Sequence, residues 1–152
     1  MRNWKMASSP HFWILLILMA AVIITGCSGS NAGGSQKDLN MAPLTDMPAE
    51  VKSAPIPVQQ AYQFAIANPE VLEQIPCYCG CGNMGHASNY ACYASGEKSS
   101  DTFTYDTHAL GCSICVDITL DTMRLLKQGK TVPEIRGYVD STYAKYGPSN
   151  MP

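Results

Sequence analysis

Eight side chains between positions 77 and 115 carry the chemistry of this chain: Cys77, Cys79, Cys81, Cys92, Cys112 and Cys115, with His86 and His108. Three of the thiols alternate in Pro76-Cys77-Tyr78-Cys79-Gly80-Cys81-Gly82. In an extended segment alternate side chains share a face, so these three sulfurs can point one way. Gly80 and Gly82 let the backbone turn around a bound ion. Downstream, His108, Cys112 and Cys115 span about 60° of arc on a continuous helix, which would make a comb of three donors. Thiolates with imidazole, and Met84 nearby, select Cu(I) or Zn(II) over hard cations.

Three chemistries compete for these residues. The first is metal binding, with Cys77, Cys79, Cys81, Cys92, Cys112 and Cys115 as ligands and His108 and His86 as second-rank ligands. Structural zinc usually shows paired C-x2-C spacing, which only Cys112 and Cys115 have. Closely packed C-x-C-x-C suits thiolates that bridge soft monovalent ions, which puts copper ahead of zinc. The second is a disulfide-stapled interaction module without metal, since six is an even number and fifteen pairings are open. A ring between positions i and i+2 is strained, so each thiol of the triplet would need a distant partner. The third is a thiol oxidoreductase using Cys112-x-x-Cys115, which lacks the preceding βαβ pattern. Haem attachment is disfavoured because Val116, not His, follows Cys115.

The elements that must position these residues are helical. Val58, Ala61, Tyr62, Ala65 and Ile66 recur at helical spacing and predict a helix over 58–67. Asn68-Pro69-Glu70 caps and restarts a short helix that runs to Ile75, with Pro at its first position. From Cys77 to about Tyr105 no period survives, and a loop of that length needs a constraint of its own. A longer helix is expected from Thr107 to Lys127, with Asp106 as N-cap and Gly129 as its stop. Thr131-Val132-Pro133-Glu134 is a capping box opening a last helix through about Tyr146. The expected fold is mainly α: a small helical domain, 58–150, wrapped around a Cys-rich loop.

Ahead of that domain, Arg2 and Lys5 precede an apolar run from Phe12 to Ile24 and then Thr25-Gly26-Cys27. This is a signal peptide over 1–26, too short for a spanning helix, ending in a bacterial lipobox. The alternative is an uncleaved anchor helix. Cys27 would be lipidated and hold the protein to the cell membrane, facing outside the cytoplasm. Residues 27–57, rich in Ser, Gly, Asn, Ala and Pro, read as a disordered linker. Ser28 after Cys27 leaves a one- or two-membrane envelope open.

Composition removes other classes. With 10 Lys and Arg against 12 Asp and Glu, there is no basic patch and no case for nucleic acid. Asp106 reads as a cap before a ligand, Asp101 as a solvated loop charge, and Asp117 with Asp121 as an exposed helix face. Tyr138, Tyr143 and Tyr146 read as packing, and His11 leaves with the signal peptide. No phosphate loop or Ser-His-Asp signature is present. No enzymatic turnover is expected. The functional expectation is a lipid-anchored binder of a soft ion, most readily Cu(I) with zinc as the alternative, for storage, sensing or handover. Its partner would be a membrane metalloenzyme or metal transporter.

PCYCGCG at 76–82, GHASNYAC at 85–92, DTHALGCSIC at 106–115 and EIRGYVDSTYAKYG at 134–147 resemble the PCYCGC motif-containing bacterial lipoproteins. The resemblance covers the chain from about residue 70 onward, and the signal peptide and lipobox also fit it. That family is described by its motif, so the resemblance implies the domain and the lipid anchor; the metal reading comes from the residues.

Overall fold

The computed structural model describes residues 38–96 and 102–152. The expected signal peptide, Cys27, linker residues 28–37 and Asp101 lie outside the described residues.

The described chain is mainly helical, as its periodicity predicts. A short helix α1 (Ala49–Lys52) leads into α2 (Ile56–Ala67). This second helix starts two residues earlier than expected because Pro57 is held in its first turn, where a missing N–H is harmless. It buries Ala61, Tyr62, Phe64, Ala65 and Ile66, which fixes it as the centre of the core. Pro69 opens α3 (Pro69–Leu72). Asn68 does not cap α3 with its side chain; its Nδ2 turns back and donates to the Phe64 carbonyl at 2.8 Å and the Asn40 carbonyl at 2.9 Å.

Residues 38–57, expected to be disordered linker, pack on the domain. Ala42, Met47 and Val51 are buried, and Ala42 exchanges hydrogen bonds with Gln63: its N–H to the Gln63 carbonyl at 2.9 Å, its carbonyl from Gln63 Nε2 at 2.8 Å. The prolines at 43, 48 and 55 each precede a short turn or helix, so they break the apolar period that would have marked the segment as core.

The region expected as an unpatterned loop has internal order. Single 3-10 turns occupy Cys81–Met84 and Tyr90–Cys92, and a two-residue antiparallel ribbon pairs β1 (Ala94–Ser95) with β2 (Thr104–Tyr105). The ribbon closes the loop and delivers Asp106 and His108 to the same place as the cysteines. Asp106 N–H extends it by donating to the Tyr93 carbonyl at 2.8 Å.

The single helix expected over 107–127 is two helices. α4 (His108–Gly111) and α5 (Ser113–Lys127) are separated by Cys112, which is extended at φ −121° and ψ 100°. Gly111, a poor helix former, makes leaving the helix inexpensive at that point. α5 packs on α2 and on the last helix, α6 (Val132–Tyr143), and buries Cys115, Ile118, Thr119, Thr122 and Leu125. Its end is a Schellman turn: Lys130 N–H reaches the Leu125 carbonyl, Gly129 N–H the Leu126 carbonyl, and Gly129 sits at φ 78°. The Thr131–Glu134 capping box opens α6 as expected. After α6 the tail from Gly147 to Pro152 returns along the Cys77–Gly82 loop, where Asn150 N–H donates to the Cys77 carbonyl at 3.1 Å.

Candidate metal centre

Each element contributes a part of one cluster. The loop after α3 brings Cys77, Cys79 and Cys81. The turn Tyr90–Cys92 brings Cys92, α4 brings His108, the break after it Cys112, and the first turn of α5 Cys115. Cys77, Cys81, Cys92 and Cys115 are at most 1% exposed, whereas Cys79 and Cys112 are half-buried and form the rim. The Sγ of Cys77 lies 3.4 Å from those of Cys79 and Cys115. Cys115 is 3.5 Å from Cys79 and 3.3 Å from Cys92, and Cys92 is 3.7 Å from Cys81. All six are free thiols, so the disulfide-stapled arrangement is not the one this fold forms.

His108 Nε2 lies 3.5 Å from Cys79 Sγ, and the ring of His86 meets that of His108 edge to face at 5.0 Å. His86 is 8% exposed. Its Nε2 is 3.3 Å from Asp106 Oδ2, while its buried Nδ1 has no hydrogen-bond partner. A carboxylate on one ring nitrogen holds the proton there and leaves the other with a free lone pair, the usual support of a metal-bound imidazole. Asp106 also accepts from the His108 N–H through Oδ1 at 2.7 Å, although the N-cap of α4 is Thr107 and not Asp106 as expected. One carboxylate thus places both histidines.

The donors fall into overlapping sets whose ligand atoms all lie within 4.8 Å of one another: Cys79, His108, Cys112 and Cys115; Cys81, His86, Cys92 and His108; Cys77, Cys79 and Cys81; Cys77, Cys92 and Cys115. Tetrahedral thiolates ~2.3 Å from a zinc ion are themselves ~3.8 Å apart, so these spacings suit direct ligation. The clustered cysteines and histidines can hold a metal ion. All eight residues singled out in the sequence come together here. His108, Cys112 and Cys115 do so across a helix break, not along one helical face. Met84 does not join them; it is 64% exposed.

The electrostatics favour a cation. Hydrogen bonds from the thiols of Cys115 and Cys92 drive the Cys77 thiol well below its ordinary value, against its burial. Its neighbours move the other way: Cys115 is raised by its bonds to Cys77 and Cys92, Cys79 by burial and by Cys81, and Cys81 by burial and the Cys77 charge. Crowded thiols of low exposure stabilise one thiolate among them and resist a second. A bound cation removes that resistance, because it favours the thiolate form of every ligand.

Sequence reasoning missed the scaffold under Cys115. Thr119 Oγ1 donates to Asn89 Oδ1 at 2.6 Å, and Asn89 Nδ2 and Tyr93 Oη donate to the Cys115 carbonyl at 3.3 and 2.9 Å. All three side chains are fully buried. It also missed Asn150, whose side chain bonds the Cys77 N–H and the His86 carbonyl. Polar residues without a period carry no signal for such roles.

The chain belongs to the family described as a protein of unknown function with PCYCGC motif, whose model matches residues 15–152. No curated protein and no solved structure matches it. No helix among the described residues is long and apolar enough to cross a membrane.

Proposed function

We propose that this member of the PCYCGC family is a lipid-anchored protein of the cell membrane, facing outside the cytoplasm, that binds Cu(I) for storage, sensing or handover. One observation carries the reading: six free thiols and two imidazoles converge, five of the sulfurs each 3.3–3.7 Å from a neighbour and Cys112 within 4.8 Å of its neighbours' ligand atoms. Soft donors in that density select Cu(I) or Zn(II). The alternate Cys77, Cys79 and Cys81, whose ligand atoms lie within 4.8 Å of one another, suit thiolates that bridge soft monovalent ions, which puts Cu(I) ahead of zinc. The anchor rests on the lipobox at Cys27, and the recipient would be a membrane metalloenzyme or metal transporter. No turnover is involved.

The test is a thiol and metal count on the full chain purified from its native membrane. Near-stoichiometric copper that is lost when Cys77, Cys79 and Cys81 are all changed to Ser supports the reading. Six unreactive cysteines with neither copper nor zinc overturn it. C27S should move the protein out of the membrane fraction.

A second reading has one observation in its favour. The break places half-buried Cys112 as the N-cap of α5 with buried Cys115 three residues on, an arrangement that suits dithiol–disulfide exchange. Against it, Cys115 Sγ is shared among Cys77, Cys79 and Cys92. Reduction of a disulfide substrate abolished by C112S would favour this reading over the metal one.

A further inference from the structure

We propose that the centre holds two ions in separate cells, with Cys77 as the thiolate bridging them. The inference rests on the metal-binding reading above and adds number and connectivity to it. A single ion takes four or at most five protein ligands in sites of this chemistry, and eight donors are gathered here.

Seven of the eight divide between two cells, and Cys77 is the eighth. The first cell is Cys79, His108, Cys112 and Cys115. The other four-donor set, Cys81, His86, Cys92 and His108, shares only His108 with it. His108 Nε2 faces Cys79 Sγ at 3.5 Å, which assigns that nitrogen to the first cell. The second cell then keeps Cys81 and Cys92, 3.7 Å apart, with His86. It has its own sign of a ligand: the His86 ring is 8% exposed, its Nδ1 has no hydrogen-bond partner, and Asp106 occupies the opposite nitrogen at 3.3 Å. A buried ring nitrogen left without a partner is costly unless something is to bind it.

Cys77 belongs to neither four-donor set, whereas Cys115, though 3.3 Å from Cys92 of the second cell, is a member of the first. The Cys77 sulfur lies 3.4 Å from Cys79 and Cys115 of the first cell, and within 4.8 Å of Cys81 and Cys92 of the second. It is fully buried at the wall between them. Its thiolate has lone pairs for both ions. Asp106 is a positioning residue for the second cell, acting through His86.

Cobalt(II) is the probe, titrated without oxygen into the reduced full chain and followed by thiolate-to-cobalt absorption, bound-metal analysis and electron paramagnetic resonance. The expected result is saturation at two equivalents, with the resonance of the first ion lost as the second enters, because a thiolate bridge couples them. H86Q should leave one ion, and C112S should leave the other. D106N should weaken the second ion by about 10–100-fold. C77S should abolish the coupling and weaken the second ion, which then keeps only Cys81, Cys92 and His86. Circular dichroism shows which variants remain folded, and D106N, which keeps an oxygen for the His108 N–H, stands in for H86Q if that variant does not. Saturation at one equivalent, two uncoupled ions in the unmodified chain, or full occupancy in folded H86Q and D106N overturns the two-cell arrangement while leaving metal binding intact. No cobalt, zinc or copper bound at all overturns both.

Discussion

Cys77 and Asn150, 73 residues apart, are joined twice: the Cys77 N–H donates to Asn150 Oδ1 at 2.6 Å, and the Asn150 N–H donates to the Cys77 carbonyl at 3.1 Å. Asn150 Nδ2 continues to the His86 carbonyl at 2.9 Å and lies 3.7 Å from Cys81 Sγ. The tail is pressed close enough that a Cβ on Gly147 would sit 3.0 Å from the Tyr78 carbonyl, and one on Gly82 3.3 Å from Asn150 Cβ. The last residues of the chain therefore set the shape of the loop that carries three of the thiols.

N150A should lower stability by about 1–3 kcal/mol, because it leaves the Cys77 N–H and the His86 carbonyl without their partners. It should also speed metal transfer to a chelator, since the loop sulfurs lose their brace. Urea unfolding and stopped-flow chelation read the two effects. An unchanged midpoint and an unchanged transfer rate would make the contact incidental.

Met47 tests whether the segment ahead of α2 is part of the domain. It is 3% exposed against the core, so M47A should destabilise by about 2 kcal/mol or more. A residue in a spacer would move the urea midpoint by no more than about 0.5 kcal/mol in equivalent stability.

What could be read in advance was local. The Thr131–Glu134 box, Pro69 at a helix start and Gly129 at a helix end act within one turn of the chain, so their residue types suffice. The membership of the cluster was legible for a different reason, because Cys and His are rare and were concentrated. The burial of Ala42, Met47 and Val51 was not, since it depends on α2 and is interrupted by prolines. Nor was the break at Cys112: the helical period runs straight through it, and only Gly111 hinted at a stop. Asn150 and the Asn89–Thr119–Tyr93 scaffold are long-range polar pairings, which leave no pattern in the sequence.

Glu134 gives a pH dependence. Its carboxyl is held down to about 2 by the Thr131 N–H, then by the Thr131 hydroxyl and by Lys130. An unfolded Glu titrates near ~4.3, so this contribution is complete above that pH and fades as pH falls toward the folded value. E134A should therefore be less stable than the unmodified chain at neutral pH, with the gap closing between about pH 4.3 and about pH 2. Thermal midpoints of both chains across that range measure it. A gap that stays constant to pH 2 would show that the charge of Glu134 contributes nothing.

The burial of the sulfurs orders their reactivity in the reduced, metal-free protein. Cys79 and Cys112 are half-buried at the rim, and the other four are at most 1% exposed. Hydrogen bonds from its neighbours push the Cys77 thiol toward ionisation, which by itself would favour its reaction. Access decides otherwise, because an alkylating reagent reaches a buried thiolate only when the cluster opens. Mass spectrometry during iodoacetamide labelling should show the rim pair modified in a fast phase and the inner four in a slow one. Bound metal should protect both classes, since a coordinated thiolate has its lone pair engaged. Labelling of Cys77 ahead of Cys112, or one rate for all six, would mean that the cluster is open in solution and that its burial does not control the chemistry of its thiols.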